Sequence, residues 1–294
     1  MVFDYVAQLN ECNMENSKTP KELTVEEKII SLVDRMVREQ TGGDDLPRRV
    51  IDYLLGDAEI KAIQDYANNV SISRLGYNDH GPVHMKMVTY NALKMLSILH
   101  EAYISTNLEN EGAGSFADSV AAVMIAAMMH DFGMSMGRKN HEFYSSIIAF
   151  TIIDKLLVKV LPDEADVVRR TVIRSLAMEG IVGHMGTQPI HSLEAGIILV
   201  ADGCDMTKGR ARISLEINSN PTVGDIHKYS ANSIERVKIR HGGERPLKIE
   251  VQMKSEVGLF QIEQVLMPKI QASPAQKYVE LYAGVEGEEV RRYM

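Results

Sequence analysis

A run of apolar residues that ends in a histidine and an aspartate constrains this chain more than any other feature. Ten consecutive apolar residues, 120–129, precede His130-Asp131, and Gly133 follows. Such a run predicts a helix buried on all sides within a globular domain. The run is too short for a membrane span, which needs about 20 apolar residues. Because a buried ionisable pair is costly unless it is paired or binds a cation, the sequence predicts a metal at this helix end.

Length and charge define the broad class of protein. With 294 residues, the chain can bury one large core, alone or with a small appended domain. Its net charge of −8 disfavours generic binding to nucleic acid or to an anionic membrane surface. The two cysteines, Cys12 and Cys204, provide neither a disulfide framework nor paired thiolate ligands for zinc. The first residues lack the basic and apolar regions of a secretory signal, so we expect a cytoplasmic protein without a membrane partner.

Apolar residues recur at helical spacing through most of the chain. We expect residues 1–46 to form a loosely attached N-terminal helical extension, whose helix would begin at a capping box formed by Thr24 and Glu27. This helix would pack on the main domain or form a dimer contact. We expect residues 47–232 to form the main helical domain, in which Ser115 offers a cap for the helix that carries the apolar run.

The periodicity changes at about residue 233, which predicts a different architecture for 233–294. Alternating residues on both sides of the sequence HGGERP predict a β-hairpin. An amphipathic segment follows, which Pro268 should end early, and residues 278–283 predict a last strand. The simplest interpretation is a small ββαβ domain with at least one parallel strand pair. This domain could form a homodimer, cover the active site or bind a regulator, and the sequence does not choose.

Several imidazole and carboxylate side chains lie at helix edges or inside apolar segments, where an unpaired polar group is costly. These candidate ligands are His84, His130, Asp131, His141, His184, His191 and Asp202. Imidazole and carboxylate without thiolate suit one or two divalent ions such as Mn, Fe, Ni, Co, Zn or Mg. A central aspartate can bridge two ions, and a pair of ions can activate water for attack on phosphorus.

The order of these residues resembles the HD-domain superfamily of metal-dependent phosphohydrolases. The resemblance implies an HD-type multi-helix bundle, in agreement with the helical pattern, so we expect a mainly α protein with a small C-terminal α/β domain. It also implies one ion held by His84, His130, Asp131 and Asp202, with Asp131 bridging. A second ion would be held by His141 and His184, with His191 as a further candidate.

The chain departs from the family pattern directly after the His-Asp pair. Many members continue with x-Gly-Lys, whereas this chain has Phe132-Gly133-Met134 and lacks the lysine. Arg138 or Lys139 could supply that cation from further along the chain. Arg74 and Lys139 are candidates for neutralising phosphate oxygens, with solvation in loops as the alternative. Lys208 and Arg210 are weaker candidates for the same pocket. The Gly-Tyr-Pro signature of the cyclic-di-GMP branch is absent.

We therefore expect a metal-dependent phosphohydrolase, either a phosphomonoesterase or a phosphodiesterase. Its substrate would be a nucleotide-like small molecule, hydrolysed by metal-activated water that Asp131 orients. The alternative is a non-catalytic, metal-containing protein that senses a ligand or acts as a scaffold, which the missing lysine and the small C-terminal domain would suit. Hydrolysis of RNA is disfavoured by the acidic charge balance, because nucleic-acid binding depends on neutralising phosphates.

Overall fold

The computed structural model describes residues 18–206 and 226–294. It is mainly helical, with a small mixed sheet at the C-terminus, which confirms the predicted class at this level. The N-terminal and central helices are α1 Pro20–Glu39, α2 Leu46–Gly56, α3 Ala58–Asn69, α4 Pro82–Glu101, α5 Asn107–Asn110, α6 Phe116–Met129, α7 His141–Val160, α8 Val167–Gly183, α9 Leu193–Cys204 and α10 Ile226–Ser233. The residues Cys12, Lys208 and Arg210 lie outside the described residues.

Helix α6 carries the apolar run and lies at the centre of the bundle. Every one of its residues is buried, and it packs against α2, α4, α8 and α9. Ser115 and Asp118 form the capping box at its start, as expected. The segment Phe116–Ser135 is long and apolar enough to cross a membrane, but its apolar window is entirely buried inside the protein. This is the environment of a core helix.

Helix α1 is an integral part of the core, so the expectation of a loose attachment is wrong for residues 20–39. Its buried apolar side chains, Val25, Ile29, Val33 and Met36 among them, belong to the same core as those of α6. The helix begins one turn earlier than predicted, because Thr19 and Glu22 form the capping box. Thr24 lies inside the helix, where its hydroxyl donates to the carbonyl of Pro20.

The C-terminal unit contains the predicted hairpin, crossover and parallel strand pair. Its strands are β1 Ile234–His241, β2 Leu247–Met253, β3 Val279–Val285 and β4 Arg291–Arg292. Their order is β1-β2-β3-β4, and only β2 and β3 are parallel. The short β4 adds an edge strand that the sequence did not predict. Apolar residues of the sheet join the core of the helical bundle, and the domain boundaries at 46/47 and 232/233 stay predictions.

The helical segment between β2 and β3 is longer than expected. A helical turn at Leu259–Gln261 leads into a π-helical segment, Ile262–Leu266, and then into α11, Met267–Ala272. Pro268 was expected to end the helix early, but it occupies the first turn of α11. A proline has no N–H to donate, and its ring would clash with the carbonyl four residues earlier. Widening of the preceding turn to π geometry accommodates both effects, so the helix continues to Ala272.

Candidate metal centre

Helix ends from five parts of the bundle bring all six predicted metal ligands together. His84 lies in the first turn of α4, and His141 is the first residue of α7. His130 and His184 directly follow α6 and α8, and Asp202 lies in the last turn of α9. All are buried, with exposed fractions from 0% for His130 to 8% for Asp202.

The first ligand group consists of His84, His130, Asp131 and Asp202. Asp131 Oδ2 lies 3.3 Å from His84 Nε2 and 3.4 Å from His130 Nε2. The two Nε2 atoms are 3.2 Å apart. Asp202 Oδ1 lies 3.2 Å from His84 Nε2 and 3.9 Å from His130 Nε2. His84, His130 and Asp131 therefore surround one small volume, and Asp202 lies beside the two histidines.

The second ligand group consists of Asp131, His141 and His184. The other carboxylate oxygen of Asp131, Oδ1, lies 3.2 Å from His141 Nε2 and 3.5 Å from His184 Nε2. The two histidine Nε2 atoms are 3.0 Å apart. Asp131 thus presents one oxygen to each ligand group, which is the arrangement of a bridging carboxylate.

The Nδ1 atom of each of the four histidines has an acceptor, which fixes the ring tautomer. His130, His141 and His184 each place Nδ1 at 2.7–2.9 Å from the carbonyl oxygen of the residue three positions earlier. His84 places Nδ1 2.7 Å from Asp205 Oδ2. Since a carbonyl can only accept, Nδ1 of the first three rings must donate, and their Nε2 lone pairs are free to bind a cation.

This arrangement fits divalent metal ions. Two ligands that each lie about 2.1 Å from one ion are about 3 Å apart, which matches the Nε2 pairs in both groups. Two unprotonated nitrogens at this distance repel each other unless a cation lies between them. Asp131 Oδ2 is buried and has no hydrogen-bond partner in the described part of the chain. The carboxyl ends of α6, α8 and α9, whose dipoles favour a cation, lie at the same centre.

The charges in the centre shift the pKa values of its groups. Burial alone would raise the pKa of Asp131, but the neighbouring His130 and His80 hold it well below the usual range. Burial alone would also raise the pKa of Asp202. The ammonium of Lys269 and the ring of His84 hold that pKa well below the usual range. Burial lowers the pKa of His184 to about 4. His184 is therefore neutral at pH 7, the form that binds a metal.

Within the described part of the chain, Asp205, Lys269 and His80 lie against the ligands although the sequence analysis did not assign them to the centre. Asp205 accepts from His84, and the ammonium of Lys269 contacts Asp202 Oδ2 and the carbonyl oxygen of His184. The ring of His80 lies 5.8 Å from that of His84 between centroids. Asp205 directly follows the last residue of α9, and Lys269 lies on an amphipathic segment, where single charged residues are common, so neither residue forms a recognisable ligand pattern in the sequence.

The remaining candidate residues lie outside both ligand groups. The side chain of His191 is exposed, and its backbone N–H donates to Glu179. Arg74 donates to the Tyr66 hydroxyl and lies over the Tyr66 ring. The Lys139 side chain is exposed, two residues before His141. Their proposed roles toward phosphate stay predictions.

Gly133, in the turn after the His-Asp pair, allows α7 to approach the centre. A Cβ at this position would lie 2.0 Å from the carbonyl oxygen of His141 and 2.7 Å from the backbone nitrogen of Ser145. The backbone N–H of Gly133 donates to the Ser145 hydroxyl at 2.7 Å. This close contact places His141 beside Asp131, which explains the glycine in the sequence.

The fold and the site define a helical protein with a buried histidine–aspartate centre positioned to hold metal ions. Over 243 residues the chain is 39% identical to an uncharacterized protein of Methanocaldococcus jannaschii, covering 83% of this chain and 91% of the relative. The chain therefore belongs to the family of that protein. Neither a protein-family model nor a solved structure matches the chain.

Proposed function

We propose that this protein is a cytoplasmic, metal-dependent phosphohydrolase of the HD type, acting on a phosphate ester or diester of a nucleotide-like small molecule. The observation that carries the proposal is the sharing of Asp131 between two buried ligand groups. A carboxylate that bridges two ions a few Å apart is the arrangement found in two-metal sites that act on phosphate. Imidazole and carboxylate ligands without thiolate suit Mn, Fe, Ni, Co, Zn or Mg better than a soft metal.

The groups of the chain support a reaction on phosphate in specific ways. When bound, a pair of divalent ions would polarise the phosphoryl group and lower the pKa of a water molecule. Asp131 would orient that water, because its two oxygens face the two ligand groups. The amino ends of α4 and α7 lie at the centre, and helix amino ends favour an anion. Arg74 and Lys139 are proposed to neutralise non-bridging phosphate oxygens.

The test uses the full-length protein, stripped with a chelator and reloaded separately with Mn²⁺, Co²⁺, Ni²⁺, Zn²⁺ or Mg²⁺. Release of inorganic phosphate and of nucleosides is measured from nucleoside mono-, di- and triphosphates and from cyclic nucleotides. We expect turnover with at least one ion and a loss of at least 100-fold in Asp131→Asn. Asp65→Asn, which changes an exposed carboxylate paired with Lys61, is the matched control. If the wild type loaded with each of these ions shows no turnover, as we expect for Asp131→Asn, the catalytic proposal is overturned.

The alternative function is a non-catalytic protein that senses a ligand or serves as a scaffold around its metals. The deep burial of every ligand favours it, because structural sites are closed, whereas catalytic sites keep an open position. Water-proton relaxation of the Mn²⁺-loaded protein separates the two functions. Fast-exchanging water on the bound ion supports catalysis, and its absence supports the structural role.

A further inference from the structure

Lys269 of the C-terminal unit reaches into the candidate metal centre. It lies on α11, and its ammonium contacts Asp202 Oδ2 and donates to the carbonyl oxygen of His184 at 2.9 Å. The lysine side chain is only 12% exposed. Asp202 belongs to the first ligand group and His184 to the second, so one ammonium contacts a residue of each group.

The position of Lys269 depends on close packing between α11 and α9. Gly196 and Gly203 are seven residues apart on α9 and therefore share one face of that helix. A Cβ on Gly203 would lie 3.1 Å from Lys269 Cδ, and one on Gly196 would lie 2.6 Å from Ser273 Oγ. The Ser273 hydroxyl also donates to the carbonyl oxygen of Gly196 at 2.9 Å. The C-terminal unit is thus docked directly on the helix that carries Asp202.

The contact with Lys269 determines how Asp202 can bind a metal. Asp202 Oδ2 is engaged by the ammonium, whereas Oδ1 faces His84 Nε2 at 3.2 Å. A carboxylate held in this way offers one oxygen to an ion rather than both. Removal of a residue that contacts a metal ligand and orients it, without binding the ion itself, commonly weakens metal binding by about 10- to 100-fold.

We propose that Lys269 is a positioning residue of the metal centre, and that the C-terminal unit completes this centre by orienting Asp202. The inference rests on the proposed function, because it requires that the ligand groups bind metal. It assigns the C-terminal unit a role at the site. It also places a cation beside the ligands of a chain that lacks the lysine after the His-Asp pair.

The test titrates Co²⁺ alone into four chelator-stripped, full-length proteins and follows visible absorption, which reports ligand geometry. The proteins are the wild type, Lys269→Met, Lys269→Arg and Lys254→Met. Lys254 also lies in the C-terminal unit, but it pairs with Glu235 at the surface and serves as the matched control. We expect Lys269→Met to weaken Co²⁺ binding about 10- to 100-fold and to change the spectrum. Lys269→Arg should retain part of the affinity, and Lys254→Met should behave as the wild type.

A comparison of Lys269 with Lys269→Met in an Asp202→Asn background shows whether Lys269 acts through Asp202. We expect Lys269→Met to change the affinity less than threefold there, because the asparagine has no charge to orient. An equal loss in both backgrounds, with an unchanged spectrum, would overturn the inference in favour of simple packing. Tighter binding by Lys269→Met would also overturn it, since charge repulsion would then dominate.

The design separates failure of the inference from failure of the proposed function. If the wild type binds no Co²⁺, the proposed function fails and the inference fails with it. If the wild type binds Co²⁺ and Lys269→Met binds it equally, only the inference fails. Should Lys269→Met not fold because the buried Asp202 loses the ammonium, Lys269→Arg and the Asp202→Asn/Lys269→Met double variant, in which neither charge of this contact remains, carry the comparison.

Discussion

Three of the four histidine ligands are oriented by the backbone, and His84 is oriented by a side chain. His130, His141 and His184 donate through Nδ1 to the carbonyl three residues earlier, a partner that no substitution removes. His84 depends on the carboxylate of Asp205, 2.7 Å away. The orientation of His84 is therefore the one among these four that a single substitution can test.

We predict that Asp205→Ala weakens metal binding about 10- to 100-fold. The imidazole of His84 would lose the acceptor that fixes its tautomer and its orientation. Calorimetric titration of the stripped protein with Ni²⁺ measures the effect, and Asp65→Ala, at an exposed carboxylate paired with Lys61, is the control. Equal affinity of Asp205→Ala and the wild type would show that packing alone orients His84.

Gly133→Ala tests the close approach of the turn and α7. Its new Cβ would meet the His141 carbonyl oxygen at 2.0 Å, so the start of α7 must move away from Asp131. We predict a loss of about 1–3 kcal/mol in the free energy of unfolding, together with weaker binding of one ion. Denaturation and metal analysis measure these effects. Gly56→Ala is the control, because a Cβ there meets nothing within 4 Å. Wild-type stability and metal content in Gly133→Ala would contradict the prediction.

The ligands could be predicted from sequence because ionisable residues stand out within apolar helices. His130, Asp131 and Asp202 interrupt or end apolar runs, and burial of such groups needs a partner. Asp205 and Lys269 could not be predicted in the same way, since neither follows a long apolar run as His130 and Asp131 do. Their importance depends on contacts between segments distant in sequence, and no periodicity encodes such contacts.

At the scale of the helix, a buried ion cluster ties α1 to α4. Lys86 of α4 is 2% exposed, and its Nζ lies 2.6 Å from carboxylate oxygens of both Glu22 and Glu26. Burial alone would raise the pKa of Glu22. Lys86 and a hydrogen bond from the backbone N–H of Thr19 instead lower this pKa below the ordinary value of 4.5. The contribution of Glu22 to stability is therefore present above pH 4.5 and is lost as the pH falls through the lowered pKa.

We predict that Lys86→Met lowers the free energy of unfolding by about 3–5 kcal/mol at pH 7. Glu22 and Glu26 would lose the buried cation that they share and keep only the more exposed Lys61 and Lys18. The difference from the wild type should narrow as the pH falls through the lowered pKa of Glu22, whose protonation removes its charge pair with Lys86. Chemical denaturation at several pH values measures it. Lys155→Met, which breaks an exposed pair with Glu59, should cost less than about 1 kcal/mol. A pH-independent difference would contradict the charge argument.

The existence of the helices and the hairpin could be predicted from sequence, but the details of their ends could not. Thr19 and Thr24 both precede a glutamate by three residues, and local pattern alone does not choose between them. The structure begins α1 at Pro20, the earlier of the two choices, which brings Glu22 to Lys86. Pro268 does not end the helix early, because the turn before it has π geometry and packs against α9, a contact that the local sequence does not encode.

At the scale of the whole molecule, the ligands join segments that are distant in sequence. The ligands, which lie between His84 and Asp202 in the sequence, converge at one centre, and Lys269 connects the C-terminal unit to that centre. Folding therefore has to assemble the centre, and repulsion between the ligand nitrogens opposes folding when no cation is present. Metal binding and folding should be coupled as a result.

We predict that metal binding stabilises the whole fold, because ions that bind only the folded chain shift the unfolding equilibrium. Saturation of one site at 1,000 times its dissociation constant contributes about 4 kcal/mol, and the melting temperature should rise with metal concentration. Thermal unfolding of the stripped protein with increasing Mn²⁺ or Ni²⁺ measures this. Asp131→Asn, which affects both ligand groups, should lose most of the rise, whereas Asp202→Asn, which affects only the first group, should lose less. An equal rise in the wild type and in Asp131→Asn would show that the ions stabilise the protein from other positions, and the two-group centre would then be rejected.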